Sequence, residues 1–205
     1  MTMKNLITAM VLIFSSVALF SQEPYKMQVG DQLVYHVEAG GAEYDFIATP
    51  TKLSAKGINF DYTMSAPANV NGSINISATA LKNSFAMYNQ FSGGKVNLTK
   101  EISVFASKAM MDAAEKGAVT FYLNGTNGAA EDFTTLEGMD SPTNGSTYIR
   151  WVKKINGKDY ALDGPILENQ DGSKAIRLTD GGGYPFITYM EIDFKIYLRE
   201  IIRAK

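Results

Sequence analysis

Apolar and polar residues alternate along several segments of the chain, with the period of two that is typical of a β-strand with one buried face. In residues 33–37 (LVYHV) the first, third and fifth side chains share one face. Residues 58–64 (INFDYTM) and 192–199 (IDFKIYLR) repeat this alternation. About ten to twelve such segments, joined mostly by short connections, predict an antiparallel sheet.

Asn-Gly and Asp-Gly pairs separate many of the alternating segments. Both central residues of a type I′ turn need a positive φ, and these pairs adopt it most readily. We therefore expect tight β-hairpin turns at these positions. The pairs are Asn71-Gly72, Asn124-Gly125, Asn127-Gly128, Asn144-Gly145, Asn156-Gly157, Asp171-Gly172 and Asp180-Gly181.

One segment departs from the strand pattern. Residues 107–117 (SKAMMDAAEKG) are rich in helix-forming residues and contain no β-branched residue. Ser107 suits the N-cap of a helix and Gly117 suits the left-handed position after its end. The pattern predicts one short helix over about residues 108–116. Three apolar residues form a stripe that packs over the sheet or plugs the open end of a barrel: Met110, Ala113 and Ala114.

These elements predict an all-β, mainly antiparallel fold: a single β-roll, barrel-like or sandwich domain with one short helix, and helix content below about 15%. No shift in composition marks a domain boundary, so residues 22–205 are interpreted as one domain. Residues 125–146, rich in Gly, Asn, Ser and Thr, are interpreted as a long excursion within it.

Residues 1–21 are predicted to be removed from the mature protein. Lys4 precedes an uncharged apolar run, residues 6–20, after which polar residues return. This run is shorter than the ~20 residues that a membrane-spanning helix needs, and no second apolar run follows. We predict a signal peptide of a Gram-negative bacterium, cut after Ser21, with no transmembrane segment left after cleavage. The expected location is the periplasm or the extracellular space, and the absence of cysteine argues against a lipoprotein.

Composition excludes several classes of chemistry. The chain has no cysteine and a single histidine, His36, which rules out thiol catalysis, disulfides and multi-histidine metal sites. We therefore predict no cofactor and no metal. The formal net charge of -2 is unlike that of a nucleic-acid-binding protein, which needs a concentrated basic face.

Acidic residues offer one alternative chemistry. Two carboxylates across a cleft can hydrolyse a glycoside, and residues two apart in a strand share a face. The candidate pairs are Glu43 with Asp45, and Glu191 with Asp193. No Gly-x-Ser-x-Gly motif is present to recruit His36 as a base. Oxygen-bearing residues between 159 and 180 could also bind calcium, although they lack EF-hand spacing: Asp159, Asp163, Glu168, Asn169, Asp171 and Asp180.

Aromatic residues suggest the leading functional hypothesis. The chain has 11 Phe and 11 Tyr, mostly within predicted strands, and they form either a packed core or a ligand cavity. We expect a non-enzymatic binding or envelope-associated protein for an apolar or glycan small molecule. The alternatives are a secreted hydrolase with a carboxylate pair and a structural surface protein without a small ligand. The expected ligand-binding residues are Tyr35, Phe60, Tyr62, Phe121 and Phe194.

Both ends of the mature chain resemble a known group. Residues 29–35 (VGDQLVY) are similar to the opening strand of the exported bacterial proteins of unknown function called DUF3108. Residues 155–158 (INGK), a turn at 180–183, residues 184–187 (YPFI) and a closing strand that ends at Ile201 are also similar. The resemblance implies an exported, roll-like or barrel-like β domain and brings no catalytic residues.

Overall fold

The fold is taken from a computed structural model that describes residues 23–66, 69–136, 148–149 and 152–205. The predicted signal peptide and the Asn144-Gly145 pair lie outside the described residues. Of these described residues, 55% are in strands and 9% in helices, which confirms the predicted all-β class.

Fourteen strands and two helices make up the described part of the chain. In chain order they are β1 (Gln32–Ala39), β2 (Ala42–Ser54), β3 (Gly57–Met64), β4 (Val70–Ser77), α1 (Ala78–Asn83), β5 (Gly94–Leu98), α2 (Lys108–Glu115), β6 (Ala118–Tyr122), β7 (Ala130–Thr135), β8 (Tyr148–Ile149), β9 (Val152–Ile155), β10 (Lys158–Ala161), β11 (Gly164–Asn169), β12 (Ala175–Asp180), β13 (Pro185–Glu191) and β14 (Lys195–Ile202). In this described part, neither helix is long and apolar enough to cross a membrane.

Eleven strands form one open sheet in the order β5-β4-β3-β2-β1-β14-β13-β12-β11-β7-β6. Neighbouring strands are antiparallel except β4 and β5, which are parallel. β8 pairs with β11 outside this path, and β9 and β10 form a separate two-stranded sheet. β1 and β14, the first and last of the described strands, are neighbours, with Leu33 opposite Ile201. The centre of the sheet therefore depends on pairing between distant parts of the sequence.

The sheet is curved around the segment formed by residues 102–106. Two backbone hydrogen bonds join this segment to β13, between Ala106 N and Pro185 O and between Ile187 N and Val104 O, both 2.9 Å. The ring of Phe105 also lies 5.3 Å from that of Phe60 on β3. β3 and β13 are four positions apart in the sheet, about 19 Å if the sheet were flat. Only a strongly curved sheet brings both within reach of one segment.

The two helices lie at one end of this curved sheet. α1 packs on β3 and β4, α2 packs on β6, β7 and β11, and the helices contact each other. Ser107 caps α2 as predicted, and Gly117 has the expected positive φ of 104°. Met110 and Ala114 are fully buried. The sequence pattern predicts only α2 and not α1, because six residues are too few to show a helical period.

Strand alternation is confirmed in the first half of the sheet. Phe60 and Tyr62 on β3 face the core, whereas Asp61 and Thr63 are exposed. The uninterrupted strand predicted over residues 192–199 is wrong in its first three residues. Residues 192–194 form the turn between β13 and β14, closed by a 2.8 Å hydrogen bond from Ile192 N to Phe194 O.

Candidate functional site

The end of the sheet opposite the helices carries a cavity that several aromatic residues line. Three connections meet there: the β1–β2 turn at residues 40–41, the β13–β14 turn at residues 192–194, and the irregular residues 88–93 between α1 and β5. Glu38 on β1 pairs with Lys195 on β14 next to the β1–β2 and β13–β14 turns. This pairing keeps the two turns side by side. Gly40 and Gly41 have φ of 58° and 79°, which explains glycine in this tight turn.

Two adjoining cavities lie beneath these connections. The outer cavity has a volume of about 220 Å³ and the inner recess one of about 30 Å³. Four residues line both, so we treat the two cavities together as the apolar groove: Asn89, Phe91, Phe194 and Ile196. The outer cavity is further lined by Val37, Ala39, Tyr44, Phe46 and Met64. The inner recess is further lined by Tyr35, Met87, Tyr88, Ser103, Val104, Ile187 and Met190.

Phe91 forms one wall of the apolar groove. Its ring lies 4.7 Å from that of Phe46 and 5.2 Å from that of Tyr62. Hydrogen bonds hold its segment, residues 88–93, at both ends. Tyr88 N donates to Ile102 O at 2.7 Å before it, and Gly93 N donates to the Tyr62 hydroxyl at 2.9 Å after it. The aromatic wall is therefore held by core contacts and by backbone hydrogen bonds.

The apolar groove is electrically neutral. Among its described lining residues, none carries an ionisable acid or base apart from three tyrosines, whose phenols are uncharged at neutral pH. Burial raises the pKa of Tyr35 far above its ordinary value, and its hydroxyl donates to Ile187 O at 2.8 Å. Burial also raises the pKa values of Tyr44 and Tyr88. An environment that disfavours charge in this way accepts an uncharged ligand.

Asn89 and Ser103, two polar residues that line the apolar groove, differ in whether their side chains have a hydrogen-bond partner. Asn89 Nδ2 donates to Asn124 Oδ1 at 2.9 Å, which turns its amide nitrogen towards the neighbouring loop. Ser103 is 1% exposed, and its Oγ has no hydrogen-bond partner among the described residues. The groove therefore contains one buried hydroxyl that the described protein atoms do not satisfy.

The five predicted binding residues fall into two groups. Tyr35 lines the inner recess, and Phe194 lines both cavities. Phe60, Tyr62 and Phe121 do not line the groove and are fully buried in the core. Tyr62 supports the groove from behind, through its contact with Phe91. The role of all five in ligand binding stays a prediction.

Several groove residues were not among those predicted from the sequence. Phe46 had a detectable signal, because it alternates with Ala48 along β2 and both are buried. Phe91 had none, since it stands alone in the polar stretch of residues 89–94 (NQFSGG). Ser103 lies in an irregular segment whose burial depends on the curvature of the sheet.

None of the four candidate carboxylates is among the described residues that line the apolar groove. His36 Nε2 is 3.6 Å from Glu43, and His36 Nδ1 is 3.7 Å from Asp45, which also pairs with Arg199 at 2.9 Å. This exposed network on β1, β2 and β14 combines both signs of charge. In the second pair, the Tyr189 hydroxyl donates to Glu191. No group of three or more His, Asp or Glu side chains is placed to hold a metal ion among the residues that the structure describes.

A second cavity, of about 310 Å³, lies near the helices. It is bounded by the β2–β3 turn, by α1 and by residues 183–185. Lys82 and Lys108 at its rim are exposed, and Lys108 forms a 2.7 Å ion pair with Asp112. Tyr184 is the one aromatic residue among its described lining residues. It is larger than the apolar groove but less aromatic, so we regard the groove as the better candidate site.

Comparison with known proteins adds no functional label to this geometry. Protein-family models, curated proteins and solved structures gave no match to this chain. The similarity of its two ends to the DUF3108 group stays a prediction from the sequence. The residues of the groove itself are therefore the guide to the function of this protein.

Proposed function

We propose that this protein is a non-enzymatic binding protein that holds a small apolar ligand in the apolar groove. The observation that carries the proposal is the neutral, aromatic lining formed by Phe46, Phe91 and Phe194 with the aliphatic side chains around them. Ligand sites are typically concave and apolar with few polar groups. A glycan needs many converging hydrogen-bond partners, so the lining favours an apolar ligand over a glycan.

The volume of the outer cavity limits the ligand. An engineered apolar cavity of about 150 Å³ is large enough to bind benzene. The outer cavity, at about 220 Å³, has room for somewhat more. Pockets for drug-sized ligands begin at about 300 Å³. The expected ligand is therefore either a small apolar molecule or one end of a longer molecule that projects from the mouth of the groove.

We also propose that the protein is exported and that its signal peptide is cut after Ser21. The uncharged run of residues 6–20 behind Lys4 supports this proposal. N-terminal sequencing of protein purified from its source tests it. A chain that begins at Gln22 is the expected result, and a chain that retains residues 1–20 contradicts it.

Titration with the neutral fluorophore N-phenyl-1-naphthylamine tests the binding proposal. We expect saturable enhancement of its fluorescence by the wild-type protein. Ala39 is partly buried at the end of β1 and lines the outer cavity. Ala39→Phe should fill the cavity and weaken binding at least tenfold. The matched control is Ala118→Phe, at an exposed position on β6, which should bind the probe like the wild type.

Other outcomes separate this proposal from its alternatives. If both phenylalanine variants bind the probe equally, the probe occupies another surface and the proposal is wrong. If the wild type binds no probe, a structural protein without a small ligand becomes the better account. Hydrolysis of a glycoside that is lost in Asp45→Asn and kept in Ala39→Phe supports the carboxylate hydrolase instead.

A further inference from the structure

The buried hydroxyl of Ser103 bears on the chemical class of the ligand. Ser103 Oγ is buried and has no hydrogen-bond partner among the described residues, and Ser103 is one of the residues that line the inner recess of the apolar groove. A buried hydroxyl without a partner is unfavourable, so such a group in a folded protein calls for an explanation. A ligand that supplies the missing hydrogen bond is one explanation.

The inner recess has the size of one small polar group. Its volume of about 30 Å³ exceeds the roughly 10–15 Å³ that a cavity needs to hold one water molecule. Seven of its lining side chains, including Tyr35 and Met190, are buried, whereas most of those that line the outer cavity are only partly buried. A ligand that enters through the outer cavity would place its leading end beside Ser103.

We propose that the ligand is an uncharged amphiphile whose hydroxyl or carbonyl oxygen hydrogen-bonds to Ser103 in the inner recess. Its hydrocarbon part lies in the outer cavity against Phe46 and Phe91. This inference rests on the proposed binding function and adds the chemical class of the ligand. Ser103 can donate to a carbonyl or a hydroxyl, and it can accept from a hydroxyl.

The lining argues against an anionic end group such as a carboxylate. A buried carboxylate needs a cation or several donors to replace its water, and no lysine or arginine is among the described residues that line the groove. Tyr35 cannot readily turn to a ligand, because its hydroxyl is engaged with Ile187 O. One serine hydroxyl is sufficient for an alcohol or a ketone but not for a carboxylate.

A set of three six-carbon compounds tests the inference. Bound N-phenyl-1-naphthylamine is displaced by 1-hexanol, by hexane and by hexanoate at pH 8, each titrated against three proteins. The proteins are the wild type, Ser103→Ala and the control Ser84→Ala. Ser84 is also a buried serine, but its Oγ already donates to Lys100 O at 2.7 Å and it does not line the groove.

The expected pattern depends on both the ligand and the variant. Ser103→Ala should weaken 1-hexanol binding about three- to tenfold and leave hexane binding unchanged, since one hydrogen bond is lost. Ser84→Ala should change neither affinity. Hexanoate should bind the wild type at least tenfold more weakly than 1-hexanol.

Three results would overturn the inference and leave the binding function standing. In the first, Ser103→Ala still binds the probe, and its affinities for 1-hexanol and for hexane fall equally or do not fall at all. That result would mean that solvent water, and not the ligand, is the partner of Ser103. Another is hexanoate as the tightest ligand. The third is an effect of Ser84→Ala as large as that of Ser103→Ala. Failure of the wild type to bind the probe at all would instead overturn the proposed function.

Discussion

Asp31 is a fully buried carboxylate that ties together the two ends of the described chain. It accepts hydrogen bonds from Gln28 N at 3.0 Å, from the Tyr25 hydroxyl at 2.8 Å and from Ala204 N at 3.1 Å. Arg203 completes the set with a 2.7 Å ion pair and lies 5.4 Å above the Tyr25 ring. A buried charge with this many partners is stable only while the set is complete.

We predict that Asp31→Ala lowers the free energy of unfolding by about 3 to 5 kcal/mol, because it leaves Arg203 without its buried partner. Urea unfolding followed by circular dichroism measures the change. Glu43→Ala, at a side chain that is 73% exposed, serves as the control and should change the free energy by less than about 0.5 kcal/mol. A loss below 1 kcal/mol for Asp31→Ala would show that the buried cluster contributes little.

Single residues also show what sequence could and could not predict. Asn156-Gly157 is confirmed as a hairpin turn with both φ angles positive, 48° and 80°, because turn chemistry is local. Asn71-Gly72 is not a turn but lies within β4. A Cβ at Gly72 would come within 2.6 Å of Gly94 O and of the Tyr62 hydroxyl, so a distant contact explains that glycine.

At the scale of elements, the N-cap of α2 joins the two helices. Ser107 Oγ accepts from Met110 N at 3.0 Å and donates to Ser84 O, at the end of α1, at 2.6 Å. Ser107→Ala removes both bonds in a fully buried position. We predict a loss of about 2 kcal/mol in the free energy of unfolding, measured by thermal or urea unfolding.

Ser77→Ala is the matched control for this prediction. Ser77 caps α1 in the same way, accepting from Ala80 N at 3.2 Å, but it is only half-buried. We expect about half of the effect of Ser107→Ala. Equal losses for the two substitutions would contradict a special role for the bond between the helices.

Elements with a clear local pattern were predictable, and the others were not. The alternation in β1 and β3 and the caps of α2 are visible in a short window of sequence. The boundary between β13 and β14 was not, because Ile192 and Phe194 continue the alternation through the turn. Residues 88–93 have no period at all, yet they carry Phe91 into the groove.

At the scale of the whole molecule, the fold class was predictable but the apolar groove was not. The groove joins residues 37–46, 89–91 and 194–196, which are far apart in sequence. Their meeting depends on the pairing of β1 with β14 and on the curvature of the sheet. Aromatic content predicted that a cavity was possible, and only the tertiary fold separates Phe194 at the groove from Phe60 and Phe121 in the core.

Five buried or partly buried tyrosines predict how the stability of the molecule depends on pH. Burial is the main cause that raises the pKa of five phenols, and for Tyr189, beside Glu191, the raised pKa is about 12. A folded-state pKa above the unfolded value of about 10 contributes stability that is full below pH 10 and lost as pH rises through the folded value. The five residues are Tyr25, Tyr35, Tyr44, Tyr88 and Tyr189.

We therefore predict that the free energy of unfolding falls between about pH 10 and pH 12. Urea unfolding at a series of pH values measures this fall. Absorbance at 295 nm should show fewer tyrosines ionising near pH 10 in the folded protein than in urea. Ionisation of all tyrosines near pH 10 in protein that is still folded would contradict the prediction.

Binding of an uncharged apolar ligand in the apolar groove can be tested directly through the methionines of the chain. Met64, Met87 and Met190 line the groove, whereas Met110 and Met111 are buried in α2 near the other end of the sheet. Selective ¹³C labelling of the methionine methyl groups lets one NMR titration report on both places at once.

The decisive measurement is the titration of the labelled protein with 1-hexanol. We predict saturable shifts of the Met64, Met87 and Met190 methyl signals at one common dissociation constant, with the Met110 and Met111 signals unchanged. Ala39→Phe should weaken these shifts. Shifts confined to Met110 and Met111, or no saturable shift of the three groove methyls, would contradict binding in the groove.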